Sequence, residues 1–100
     1  MDAHAALSHA IDECLERFEY VYEPPGMGDW QAPSKTETKG RGDCEDLAVW
    51  CIKRAWGLCP GIEILLVWGV TLEGNGHAWI ELVDGDKVYW ADTEQKRSPE

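Results

Sequence analysis

The chain reads as an α+β protein, and three observations predict this. Apolar residues recur at helical spacing near the start and again in the middle, and the second half carries three runs rich in β-branched and aromatic residues. Helical and strand-forming stretches are segregated along the sequence, which is the α+β pattern. There is no internal repeat and no low-complexity segment. One hundred residues suit one domain. It divides into an N-terminal helical segment over 1–22, a connecting loop over 23–42, a helix over 43–56 and a sheet over 62–95.

The first helix rests on Leu7, Ala10, Ile11, Cys14, Leu15 and Phe18, with Asp12, Glu13, Glu16, Arg17 and Glu19 mostly on the opposite side. His4 and His9 read as solvated surface. Residues 23–42 are rich in Pro, Gly and polar side chains, and a connection of that length in a small domain signals a functional or disordered segment. It runs directly into Cys44. Trp30 within it either covers the site or simply anchors the loop. Asp43 is a good N-cap, and Asp46 three residues later supplies the acid of a capping box. Leu47, Ala48, Cys51, Ile52 and Ala55 then trace an apolar face, and Gly57 reads as the stop. Ile62 to Val70 is almost continuously apolar, the signature of a strand buried on both faces.

The last two runs, 77–83 and 87–91, flank Asp84-Gly85-Asp86. A two-residue type I′ turn at Asp84-Gly85 closes an antiparallel hairpin. That register opposes Trp79 to Trp90 and His77 to Asp92. Directly opposed Cβ atoms lie roughly 4.5–5.5 Å apart, within side-chain hydrogen-bonding reach. A three-residue turn instead sets His77 opposite Thr93.

The net charge of −10 argues against nucleic acid and anionic membrane surfaces as partners. No apolar run is long enough to cross a membrane as a helix. The N-terminus lacks the basic and hydrophobic regions of a signal peptide, so a cytoplasmic setting is expected. Cys14, Cys44, Cys51 and Cys59 are then thiols rather than disulfides. The absence of a Cys-x-x-Cys motif argues against a zinc ribbon.

Cys44 at a helix start, then His77, then Asp92, make a nucleophile, a base and an orienting acid in workable order. A helix N-terminus lowers a thiol pKa and leaves a backbone N–H for an oxyanion. Asp43, Glu45 and Asp46 pull the other way, since like charges raise a thiol pKa. Either they cap the helix or a cation such as calcium neutralises them.

Trp30-Gln31-Ala32-Pro33, Gly40-Arg41-Gly42-Asp43-Cys44-Glu45-Asp46-Leu47-Ala48, Gly76-His77-Ala78-Trp79 and Asp92 together resemble the bacterial transglutaminase-like cysteine proteinases of the papain-like transglutaminase superfamily. The resemblance spans roughly residues 29–95. It implies a papain-like core with the cysteine on a helix packed against an antiparallel sheet. It implies Cys44 as nucleophile, His77 as base and Asp92 as orienter; Trp30 and Gln31, in the loop that leads into Cys44, are expected to bind substrate. It also implies calcium, where bound, on Asp43, Glu45 or Asp46, and no other cofactor. The expected function is thiol-dependent hydrolysis of peptide or isopeptide amides, with a peptide or protein as substrate. The alternative is an inactive or acyl-transferring module that binds a peptide or protein partner.

Overall fold

The computed structural model describes residues 1–21, 31–70, 72, 74 and 76–93. In chain order these form α1 (Ala3–Arg17), β1 (Glu19–Tyr20), α2 (Pro33–Lys39), β2 (Arg41–Gly42), α3 (Cys44–Leu58), β3 (Glu63–Val70), β4 (Gly76–Asp84) and β5 (Lys87–Ala91).

Asp2 starts α1 by accepting the Ala5 N–H at 2.7 Å, a side-chain N-cap. Ala6, Leu7, Ala10, Ile11 and Cys14 are buried on one stripe of the helix. Leu7, Ala10, Ile11 and Cys14 meet Leu47, Ala48, Cys51 and Ala55 of α3 in one continuous core. Alanine and cysteine along this seam let the two helices approach closely, and Cys51 Sγ lies 3.8 Å from the Ala10 carbonyl. At the rim Arg54 Nε holds Glu13 at 3.0 Å. Cys14, Cys44, Cys51 and Cys59 are all free thiols. No helix among the described residues is long and apolar enough to cross a membrane.

The helices lie on one face of an antiparallel sheet ordered β3-β4-β5. Ala78, Ile80 and Leu82 of the central strand point into the core, together with Ile64 and Ala91. The alternation on β4 is the ordinary consequence of period-two side chains on a sheet covered on one side. His4 is not simply solvated: it packs edge-on against Tyr89 at 4.8 Å.

Four expectations change. β3 is not buried on both faces. It is an edge strand, its other neighbour position is unpaired among the described strands, and Leu65, Trp68 and Val70 are exposed. A run of apolar residues is consistent with two-sided burial but does not require it. The segment read as a loop contains structure in its described part. Pro33 sits in the first turn of α2, where its missing N–H costs nothing, and Gly40 ends the helix at φ 72°. Arg41–Gly42 then pairs in parallel with Glu19–Tyr20, tying the end of α1 to the start of α3. Gly57 does not stop α3, which continues to Leu58.

The fourth change is the hairpin register. Asp84 pairs with Lys87, so the two turn residues are Gly85 and Asp86. Glycine takes the first turn position at φ 67°, where the favoured hairpin turns demand a positive φ. The register is therefore displaced by two residues, with Glu81 opposite Trp90 and Ile80 opposite Ala91. A displacement of two leaves every side chain on its expected face; only an odd displacement reverses them.

Candidate active site

The start of α3 is fastened from three sides. Asp43 accepts the Asp46 N–H at 3.1 Å, and Asp46 accepts the Asp43 N–H at 3.2 Å, a reciprocal capping box. The other oxygen of Asp46 accepts the Gln31 N–H at 2.9 Å. Asp46 is 3% exposed, so these bonds are made where water does not compete. Gly42 makes room for them: a Cβ there would lie 2.6 Å from Asp46 Cβ. The Gln31 side chain turns inward as well, with Nε2 donating to the Arg41 carbonyl at 3.3 Å and to Thr36 Oγ1 at 3.4 Å. Gln31 thus braces β2 and the helix start. Trp30 lies outside the described residues.

Cys44 is the first residue of α3 and is buried. Its thiol meets the backbone N–H of Ala78, and that of Glu45, both of which favour the thiolate. Burial outweighs them, and the charges of Asp43 and Glu45 act in the same sense as burial, so the Cys44 pKa is raised. The expectation that the helix N-terminus would lower it is corrected: desolvation and the neighbouring carboxylates win. The resting group is a thiol.

The contact with Ala78 places Cys44 beside the residue that follows His77. The β4–β5 ladder ends at Ile80 and Ala91, so the Ala78 amide lies beyond the last pair. One step further Asp92 comes abreast of Trp79, two residues from His77 on the same face. Diagonal neighbours of this kind are roughly 7–8 Å apart, a gap that two side chains can close. They do: His77 Nε2 and Asp92 Oδ2 are 2.8 Å apart. Both side chains are largely buried, at 12% and 21% exposure. The pair anticipated from a directly opposed register is made across a diagonal instead.

Trp79 completes this wall. Its ring lies nearly parallel to the His77 imidazole, at 6.2 Å between centroids. It occupies the space left by Gly69, the cross-strand partner of His77, where a Cβ would come within 2.5 Å of the indole. Trp79 Nε1 and Thr93 Oγ1 are buried with no hydrogen-bond partner among the described residues.

Asp43, Glu45 and Asp46 bring three carboxylates together, with one ligand oxygen from each lying within 4.8 Å of the others. Hard oxygen donors in that number suit a divalent cation such as calcium. The oxygens that accept N–H bonds in the capping box retain lone pairs, so capping and ligation are compatible.

No protein-family model matches the sequence, and no curated protein does. Solved structures do. The chain shares the fold of Legionella pneumophila LapG. The TM-score is 0.79 at 18% identity, over 96% of this chain and 56% of LapG. EGTA-treated LapG aligns at TM-score 0.76 and 16% identity over 96% of the chain. Calcium-bound LapG aligns at TM-score 0.76 and 17% identity over 93% of it. The chain therefore spans about half the length of LapG. The fold is α+β with a transglutaminase-like core.

Proposed function

We propose that the protein is a thiol-dependent hydrolase of peptide or isopeptide amide bonds, working through an acyl-enzyme on Cys44. The observation that carries this reading is the 2.8 Å bond between His77 and Asp92, formed one residue from the amide that meets the Cys44 thiol. The resemblance of the surrounding motifs to transglutaminase-like cysteine proteinases and the fold shared with LapG support it.

In this reading Asp92 accepts the Nε2 proton of His77, which leaves Nδ1 as the base. His77 takes the Cys44 proton as Sγ bonds to the carbonyl carbon, and returns it to the amine nitrogen as the C–N bond breaks. It then deprotonates the water that attacks the thioester, and the thiol is regenerated. The oxyanion is met by the Cys44 N–H, which at the first helical position has no acceptor within the helix. Because the thiol pKa is raised, the base is required, and a preformed thiolate is not the resting state. The substrate is a peptide or protein. A cytoplasmic setting, which keeps thiols reduced, suits this chemistry.

Labelling with iodoacetamide tests the assignment. In EDTA-containing buffer Cys44 is expected to be alkylated at a rate that climbs with pH and has its midpoint above the ordinary thiol value, because burial and the neighbouring carboxylates raise its pKa. Cys51 is expected to stay inert, since burial holds its thiol far up. His77→Ala should slow labelling of Cys44 near neutral pH. A Cys44 labelling rate that is unchanged in His77→Ala would refute the pairing of nucleophile and base.

The same proposal includes calcium on Asp43, Glu45 and Asp46. Bound there, calcium supplies positive charge that offsets the carboxylates beside the thiol. A ligand that binds only the folded state stabilises it by about 2.7 kcal/mol at a hundred times its Kd. Calcium is thus expected to raise the melting temperature. Asp43→Asn, which keeps an N-cap side chain but loses the charge, is expected to remove that rise. An unchanged melting temperature at millimolar calcium would leave capping as the whole role of the cluster.

A further inference from the structure

Trp68 is an exposed tryptophan beside the candidate site. Trp50 and Trp56 have their indole nitrogens tied down, to Glu37 at 3.0 Å and to the Ile62 carbonyl at 3.1 Å. Trp68 makes no such bond among the described residues, and 53% of it is exposed. It is the direct cross-strand partner of Ala78, so the two share the helix-facing side of the sheet. The Ala78 amide is the one that meets the Cys44 thiol. The indole is laid across the start of β4: a Cβ at Gly76 would lie 3.2 Å from Trp68 Cζ2. Gly76 pairs with Val70, which is 72% exposed on the same face. The residues further along this face, Ile80 and Leu82, are covered by the helices. Trp68, Val70 and Gly76 are therefore an apolar shelf that continues the sheet past Ala78, next to the thiol and open to solvent.

We propose that Trp68 is a substrate-binding residue, and that the shelf holds an apolar side chain of the peptide next to the bond that Cys44 attacks. The inference rests on the hydrolase reading above and deepens it by naming a substrate class. Its chemistry is simple. An indole face already half exposed gains by covering an aromatic or branched aliphatic group. The missing side chain at Gly76 lets the indole lie flat against the strand, with its other face left for a substrate group. The carboxylates around Cys44 disfavour an anionic group at the same place, and the shelf itself, an indole and a valine, carries no charged group to pair with one.

Two alkylating probes with one warhead test this. Iodoacetamide reports the reactivity of the Cys44 thiol alone; N-phenethyl iodoacetamide adds an apolar arm. In wild type the arm is expected to raise the Cys44 alkylation rate roughly tenfold. Trp68→Ala should erase that gain and leave the iodoacetamide rate unchanged, while Trp68→Phe keeps part of it. Trp90→Ala is the control, since Trp90 is equally exposed but lies on the opposite face of the sheet. Both tryptophans are on the surface, so the variants are expected to fold. An arm effect that is absent in wild type, that survives Trp68→Ala, or that is lost equally in Trp90→Ala would overturn the shelf while leaving the nucleophile standing. Failure of both probes to label Cys44 would overturn the hydrolase reading, and the shelf with it.

Discussion

Cys44→Ser is expected to reduce turnover of peptide or ester substrates by at least about ten-thousandfold while leaving the melting temperature nearly unchanged. Serine retains the size and the helix-start position, but its hydroxyl ionises far less readily than a thiol beside a base. His77→Ala should give a loss of the same order, because the raised Cys44 pKa leaves the thiol dependent on a proton acceptor. Asp92→Asn should cost less, since the aspartate orients and stabilises the imidazole rather than touching substrate. Steady-state kinetics on activated esters, with thermal melts of each variant, read both halves of this expectation. If Cys44→Ser and wild type turn over alike, the nucleophile lies elsewhere.

Asp46→Ala carries the largest expected effect on stability. The change removes acceptors from the Asp43 and Gln31 amides, in a position only 3% exposed. Loss of a cap typically costs about 1 kcal/mol, and a buried donor left unpaired costs about 1–3 kcal/mol more. A combined loss of roughly 2–4 kcal/mol follows, readable by urea denaturation in EDTA. Asp46→Asn keeps one acceptor oxygen and should lose less. Because the same bonds hold Cys44 at the head of α3, Asp46→Ala should also lower activity in the molecules that remain folded. A variant as stable as wild type would mean that the start of α3 is held by other contacts.

The helix and strand elements followed from periodicity, since α1, α3 and β4 each have one clear buried stripe. The capping box was readable because Asp43 and Asp46 sit at the spacing its two hydrogen bonds require. The His77–Asp92 pairing follows even from a turn placed at Asp84-Gly85, one residue before the observed one. It survived because the resulting displacement was even, and an even displacement keeps both side chains on one face. What was missed is tertiary. The exposure of β3 depends on how many layers cover the sheet, which a run of apolar residues does not encode. The fold of α2 within a polar stretch depends on its contacts with α3, such as Trp50 to Glu37. The direction of the Cys44 pKa depends on the balance between burial and the helix terminus, and burial is a property of the assembled structure. Trp68 is hidden for the same reason as β3: inside a run that reads as core, nothing marks one indole as facing solvent.

The most direct test of the account is to catch the acyl-enzyme. Folded protein is mixed with p-nitrophenyl acetate, quenched in acid within seconds and mapped by peptide mass spectrometry. A single acetyl group is expected on Cys44 that disappears on longer incubation, that accumulates much more slowly in His77→Ala, and that is absent from that position in Cys44→Ala. Acetylation confined to surface lysines or to Cys14, Cys51 or Cys59, with Cys44 unmodified at every time, would contradict it.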